Sequence, residues 1–295
     1  MFKHWEYTEF VSASEYQRFS DHSFLRITPD DVLPNTGIYV QMSGGGKRLE
    51  AIYDESLKGI RQLKNRTAPN RDLRLYMDAI ETEEIKIIAV DGLMGTGKTS
   101  TCIESIVNKY LSPEATSGKC VPHKVLIAKP HVNAGGSEEE YGHLPGGINE
   151  KLEPTIMNYI QYFDRFHPFG FNTLQEKGYI EILPLGFIRG LDGQDMSIIV
   201  DEAQNSKELI SVVTRKAENC RIFLLGDTSA YQIDRPHNSP KKNGLSDIID
   251  LLKGAPYFQY VELKSLEHIV RSDEVRDIVR RLFKKYGQDP QEWIV

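Results

Sequence analysis

The sequence is poor in cysteine, with three in 295 residues, and none of them forms a C-x-x-C pair. Thiols this far apart exclude a disulfide-framed scaffold and a thiolate zinc site, and Cys102, Cys120 and Cys220 fit buried thiols in a reducing compartment. An excess of positive charge is also missing: 36 Lys and Arg stand against 42 Asp and Glu, for a net charge of −6. A surface that binds nucleic acid everywhere is thereby excluded, and any such contact must be a local channel. No apolar run approaches the roughly 18 residues that cross a bilayer. The first residues carry Lys3, Glu6, Glu9 and Glu15 where a signal peptide would have an apolar core. A soluble, cytoplasmic chain with no membrane partner is expected. The eight histidines show no metal-ligand spacing, which leaves His123, His131 and His143 as loop or surface residues. Internal repeats and low-complexity tracts are absent too.

What is present has two textures. Residues 1–65 open with Phe2, Trp5, Tyr7 and Phe10, then offer Gly37–Met42 and Arg48–Asp54 as strands on either side of Ser43–Lys47. This pattern predicts a small N-terminal extension with a β-hairpin. Gly44-Gly45-Gly46-Lys47 imitates a phosphate loop, but no Ser or Thr follows the lysine and no buried strand precedes it. Asn65–Asn70, with Pro69, reads as the linker into a main domain over residues 66–295. There, helical and strand patterns alternate. Ile85–Val90, Lys124–Ala128, Tyr179–Leu183, Met196–Val200, Arg221–Leu225 and Phe258–Leu263 are short runs rich in Ile and Val. Such runs suit strands buried on both faces, and the expected fold is α/β, a mostly parallel sheet covered by helices on both sides. Helical spacing over Thr99–Leu111 gathers Cys102, Ile103, Ile106, Val107, Tyr110 and Leu111 on one face. Over Glu274–Tyr286 it does the same for Val275, Ile278, Val279, Leu282, Phe283 and Tyr286.

Three motifs carry chemistry. The first, Gly92-Leu93-Met94-Gly95-Thr96-Gly97-Lys98-Thr99, is a full G-x-x-x-x-G-K-T with a strand running in and a helix running out. Its glycines let successive backbone N–H groups converge on a β-phosphate at the positive end of that helix. Lys98 is placed to bridge β- and γ-phosphate oxygens, Thr99 to ligate Mg²⁺, and Ser100 completes the nucleotide-binding stretch. The bland alternative is a Gly-rich strand–helix turn with a solvated lysine. In the second motif, the apolar strand Met196–Val200 ends in Asp201-Glu202-Ala203-Gln204. Asp201 can hold Mg²⁺ through a water, and Glu202 can polarise an attacking water, which points to hydrolysis. Acids after a strand are also common helix caps; pairing with the phosphate loop selects the catalytic reading. The third places Gly226-Asp227-Thr228, then Gln232 and Asp234, after strand Arg221–Leu225 as candidate sensors of a γ-phosphate. A polar surface turn is the alternative there.

Taken in order, these motifs resemble those of the PhoH-like P-loop ATPases, a family similar to superfamily 1 helicases. The resemblance spans about residues 66–286. It adds Lys129-Pro130-His131-Val132-Asn133-Ala134-Gly135, Leu144-Pro145-Gly146, Glu150-Lys151, Pro184–Gly190, Thr214-Arg215 and Ile269-Val270-Arg271. It implies ATP and Mg²⁺ as cofactors, ATP hydrolysis, a RecA-like core, a link to RNA metabolism and assembly into a ring, with a hexamer expected. Two departures stand out: Leu73 follows Asn70-Arg71-Asp72 where the family usually has Gln, and two extra residues separate Gly226-Asp227 from Gln232. Residues 1–65 are too short for the nuclease domain of some relatives, so no nuclease activity is expected. Val270-Arg271 is similar to the segment by which a helicase's second domain supplies a transition-state arginine. With one phosphate loop in the chain, the expectation is a catalytic Arg271 delivered by a neighbouring subunit, with Arg215 and Arg276 as rivals. Arg189, Lys241 and Lys242 are loop candidates for contact with RNA or single-stranded DNA. Arg280, Arg281, Lys284 and Lys285 end a helix that Asp273, Glu274 and Asp277 begin, the order its dipole favours on a solvated face. The competing functional class is a P-loop phosphotransferase acting on a small molecule, for which no Arg-rich lid is visible.

Overall fold

The computed structural model describes residues 4–64, 68–112, 123–129, 148–185, 188, 194–206, 209–233 and 238–287. By spatial contact the chain forms two compact units, Met1–Ile88 with Ile249–Val261, and Ala89–Ile248 with Glu262–Val295.

The first unit holds β1 (Thr8–Val11), α1 (Ala13–His22), β2 (Phe24–Leu25), β3 (Gly37–Met42), β4 (Leu49–Asp54), β5 (Gly59–Gln62) and α2 (Arg71–Glu81). The expected hairpin is there: β3 and β4 are antiparallel, from Gly37 opposite Ile52 to Val40 opposite Leu49. Gly45 and Gly46 turn between them at φ +98° and +108°, a backbone that side chains resist. The hairpin is the centre of a five-stranded sheet ordered β1-β3-β4-β5-β2. Its other strands escape pattern reading because β2 is two residues long and β5 buries Arg61 and Gln62. Inside lie Val11, Phe19, Leu25, Ile38, Val40, Ala51 and Ile60. Arg61 is tolerated there because its guanidinium donates to both Asp78 oxygens, at 2.8 and 2.7 Å, and to Asp54 at 2.9 Å. α2 begins where Asn70 accepts the Leu73 N–H at 2.8 Å, an N-cap.

The larger sheet comprises β6 (Ile87–Gly92), β7 (Lys124–Lys129), β8 (Ile180–Pro184), β9 (Met196–Val200), β10 (Arg221–Gly226) and β11 (Phe258–Leu263), in the order β11-β6-β10-β9-β7-β8. The β9–β10, β7–β9 and β7–β8 pairs are parallel. Helices α3 (Lys98–Tyr110), α4 (Ile148–Phe166), α5 (Gly170–Glu176), α6 (Leu209–Thr214), α7 (Gly244–Leu252) and α8 (Asp273–Lys285) flank it. This is the expected α/β fold with a mostly parallel sheet, consistent with a RecA-like core. Each strand lies within two residues of its sequence run. In α3, Cys102, Ile103, Ile106 and Val107 are buried as expected, while Tyr110 is half-buried and stacks on His123 with ring centroids 3.9 Å apart. The α8 expectation needs correction. Val279 and Phe283 are buried, but Ile278 is 51% and Tyr286 47% exposed, because the packed stripe is narrower than the apolar pattern.

The strand order matters for the site. β6, β10 and β9 are neighbours, so the segments that follow them emerge side by side at one edge of the sheet. In α/β sheets, ligands sit beyond the carboxyl ends of the strands. Among the described residues, no helix is long and apolar enough to cross a membrane. Cys102 and Cys220 are buried and outside any disulfide, and burial pushes the Cys220 thiol up to about 11. Cys120 lies outside the described residues.

Candidate functional site

The phosphate-loop motif begins on the last residue of β6. A side chain at Gly92 would put its Cβ 2.9 Å from Leu263 Cβ and 3.0 Å from Thr96 Oγ1, so the strand can turn here only as glycine. Gly95 and Gly97 adopt φ +80° and +82°. Leu93 is fully buried, joined by Ile269, Val279 and Phe283, with Met94 against the same cluster. The buried Thr96 closes the turn by donating to Leu93 O at 2.9 Å. Apolar anchors thus hold the loop from one side. α3 has Gly97 at its N-cap, with no side-chain cap and no acid in its first turn. Such an end presents unsatisfied N–H groups and the positive pole of the helix. Lys98 Nζ lies at the mouth of the loop, donating to Gly92 O at 3.0 Å and Leu93 O at 3.4 Å. Thr99 and Ser100 occupy the first turn of α3, with Ser100 Oγ donating to Gly97 O at 3.1 Å.

Asp201 follows β9 and is 8% exposed. Its Oδ1 accepts the Glu202 N–H at 3.1 Å, and its Oδ2 accepts the Tyr159 hydroxyl from α4. Burial first, and then the Asp201 carboxylate, hold the Tyr159 phenol well above its ordinary value, so it is a committed donor. Glu202 is exposed and takes up φ +54°, a left-handed backbone that a non-glycine residue adopts at a cost. Its carboxylate is steered by Gln204, whose Nε2 donates to Glu202 Oε2 at 2.8 Å and to Gln232 O at 3.0 Å. The Oε1 of Gln204 accepts the Asp227 N–H at 3.1 Å. This fully buried amide ties the β9 end to the β10 end. A Cβ at Gly226 would fall 2.6 Å from Gln204 Oε1, so the contact requires glycine there.

Behind the loop, Asp91 accepts the Thr228 N–H at 3.0 Å, the Thr228 hydroxyl at 2.7 Å and Lys264 at 2.6 Å. Burial lowers Lys264, but the Asp91 carboxylate, together with Glu262 and Asp227, outweighs it and leaves the ammonium raised. Asp227 is buried, and its Oδ1 accepts the Ser229 N–H and hydroxyl at 3.0 and 2.5 Å. Among the described residues, its Oδ2 has no hydrogen-bond partner. Desolvation raises the Asp227 carboxyl despite the opposing pull of Lys98, an attraction that places the two groups in one electrostatic neighbourhood.

The remaining sequence candidates fall differently. Gln232 joins through its backbone carbonyl, which also accepts Asn205 Nδ2 at 3.3 Å. Lys241 and Lys242 are exposed, and Lys242 borders a cavity of about 160 Å³ shared with Ser206, Asn238 and Asn243. Asn238 donates to Gln204 O at 3.0 Å, so that loop is fastened to the acidic turn. Arg271 is exposed and crosses its own phosphate loop: Val270 N–H donates to Gly95 O at 3.0 Å, and a Cβ on Gly95 would lie 3.4 Å from Arg271 Cδ. Its rival Arg276 is engaged with Ile269 O and Asp273, and Arg215 is exposed. Arg280 and Arg281 pair with Asp277 on the solvated face of α8. His123 meets Ser197 Oγ through Nε2 at 2.8 Å, a structural contact. Arg189, Asp234, His131 and His143 lie outside the described residues.

Sequence reasoning missed Tyr159, Asp91, Lys264 and the steering role of Gln204. Tyr159 sits far in sequence from Asp201, and Lys264 far from Asp91, so neither pairing carries a local signal. Gln204 lay within the quoted motif, and its position two residues after Glu202 was the only hint.

The PhoH-like protein family model matches residues 65–283. Protein PhoH2 of Thermobispora bispora is 26% identical over 264 residues, covering 87% of this chain and 58% of the relative. A PhoH-like protein of Mycobacterium tuberculosis is 30% identical over 207 residues, or 69% of this chain and 54% of the relative. A PhoH-like protein of Bacillus subtilis is 28% identical, covering 80% of this chain and 70% of the relative. The chain therefore spans little more than half the length of the first two. With the family model running through both the phosphate loop and the acidic turn, this chain belongs to the PhoH-like protein family.

Proposed function

We propose that the chain is a cytoplasmic Mg²⁺-dependent ATPase, built as an ATPase domain over residues 66–295 behind an extension of residues 1–65. The observation that carries this is the uncapped start of α3 in a left-handed glycine loop, beside strand ends that bear Asp201-Glu202 and Asp227. Backbone N–H groups of Gly95–Ser100 bind the phosphates, and Lys98 exchanges its carbonyl partners for β- and γ-phosphate oxygens. Among the described residues, no group of three or more His, Cys, Asp or Glu side chains could hold a metal. One hydroxyl and one carboxylate, Thr99 and Asp201, suit Mg²⁺, which is commonly shared with substrate phosphates. Bound there, the ion would neutralise charge developing on the phosphates. Glu202, held by Gln204, accepts a proton from the attacking water. Gln232 reports the γ-phosphate through the same Gln204 contact.

The nucleic-acid reading is that single-stranded RNA or DNA passes Lys241, Lys242 and Arg189 and stimulates turnover, as a helicase-like remodeller would. The fastening of the Lys242 loop to Gln204 supports it, because a ligand there would act on the residue that steers Glu202. The test uses Lys98→Ala and Glu202→Gln in ATP binding and phosphate release, with single- and double-stranded RNA and DNA added. Lys98→Ala is expected to lose affinity and turnover. Glu202→Gln is expected to bind ATP while hydrolysis falls roughly 10²–10⁴-fold. Near-normal hydrolysis by Glu202→Gln removes that residue from the mechanism. Phosphate transfer to a small acceptor in place of water would favour a phosphotransferase. Binding of RNA or DNA should weaken steeply with salt; absent or salt-independent binding sinks the nucleic-acid reading.

A further inference from the structure

We propose that Tyr159 is a positioning residue for Asp201 and sets the affinity of the site for the metal that accompanies the nucleotide. This rests on the reading of Asp201 as the metal-holding carboxylate. Tyr159 is fully buried on α4, which packs against α3, the helix that starts at the phosphate loop. Its hydroxyl donates to Asp201 Oδ2, while the Glu202 N–H occupies Oδ1 at 3.1 Å. An ionised carboxylate only accepts, so the direction of the tyrosine bond is fixed. Two donors, one on each oxygen, leave the carboxylate a single orientation, and its remaining lone pairs are the ones available to a cation or its water. A buried ring has only two side-chain torsions to order, so α4 delivers this donor already aimed. Outer donors of this kind orient metal-binding carboxylates, and their loss typically weakens metal affinity about 10–100-fold. A hydroxyl that merely satisfies a buried phenol would affect stability and leave metal affinity alone.

The two roles separate by experiment. The full chain is prepared as wild type, Tyr159→Phe and Asp201→Asn, and Mn²⁺ binding in the presence of ADP is titrated by electron paramagnetic resonance. ADP binding without metal is measured alongside. Tyr159→Phe is expected to weaken Mn²⁺ binding about 10–100-fold while metal-free ADP affinity stays as in wild type. Wild-type Mn²⁺ affinity in Tyr159→Phe, with weakened affinity in Asp201→Asn, overturns the tyrosine's role and leaves the metal reading standing. Unchanged affinity in Asp201→Asn overturns the metal reading and this inference with it. Should Tyr159→Phe fail to fold, 3-fluorotyrosine placed at 159 supplies a second readout. Its ¹⁹F resonance should move when Mg²⁺ joins ADP and stay still with ADP alone; no response to Mg²⁺ overturns the proposal.

Discussion

Asp227 concentrates the electrostatic problem of the site in one side chain. Its carboxyl is buried, one oxygen has no hydrogen-bond partner among the described residues, and desolvation raises it from the usual value of 3.8 in spite of Lys98. The sign of the consequence follows from linkage. Well below pH 3.8 the group is protonated in folded and unfolded chains alike and costs nothing. As pH rises through the unfolded and then the folded value, the unfolded chain ionises first and the folded state loses stability. The amide introduced by Asp227→Asn would never ionise. The melting temperature of Asp227→Asn relative to wild type should therefore climb as pH is raised from about 3.8. A difference that is flat or falls as pH rises would show that the carboxyl is not desolvated in the folded protein. The glutamate two positions after Val200 poses a related conflict, since Glu202 holds a left-handed backbone where glycine would be easier. Strain of that kind persists where the surroundings overdetermine the geometry, and Gln204 is the residue that does so here.

At the scale of elements, the N-terminal sheet depends on a charge buried in its β5 strand. Arg61 is 8% exposed and Asp78, in α2, is fully buried. The two Arg61–Asp78 hydrogen bonds stitch helix to strand with a fixed geometry that an apolar pair would lack. Removing the arginine leaves a carboxylate uncompensated in the interior, which typically costs about 3–5 kcal/mol. Arg61→Met should lower the denaturant midpoint accordingly, and removing the fully buried charge with Asp78→Asn in the same chain should recover part of the loss, with Asp54 still lacking its cation. An Arg61→Met variant as stable as wild type would mean that water reaches Asp78. The phosphate loop is an element of another kind. It is pinned from beneath by the buried Leu93 and crossed by Val270 and Arg271, so the start of α8 and the loop share one small apolar cluster. Alternation of strand and helix was legible in the sequence because buried parallel strands and amphipathic helices leave unlike periodicities. Two of the strands around the hairpin, β2 and β5, were not, because two residues or a buried Arg–Gln pair leave no such trace.

For the whole molecule, the proposed ATPase activity raises the question of how a chain with a single phosphate loop would complete its transition state. The expected ring would bring Arg271 from a neighbouring subunit. The structure sets Arg271 beside its own Gly95, and this favours a second reading in which the same arginine serves the site from within its chain. Mixing separates them. Arg271→Ala and Lys98→Ala subunits, each inactive alone, should regain hydrolysis in mixed oligomers if the arginine acts between subunits. If it acts within a chain, verified mixed oligomers remain inactive, and a monomer of wild-type sequence retains full turnover. An arginine in such a role is worth about 10³–10⁵ in rate in known NTPases, so even partial recovery would be plain.

The sequence by itself determined the chemistry on offer: a phosphate loop, an acidic turn after a buried strand, and an α/β alternation with the strands within two residues of their final places. These are local properties, set by residue type and spacing over fewer than about twenty residues. Only the tertiary structure decided which strand ends are neighbours, and hence that β10 lies between β6 and β9 and sets Gly226-Asp227 beside both motifs. It also decided that Tyr159 meets Asp201 from 42 positions away, and that Lys264 neutralises Asp91. Such pairings join groups whose separation along the chain carries no periodic signal. They exist because a buried carboxylate must find a donor wherever the packed fold can supply one.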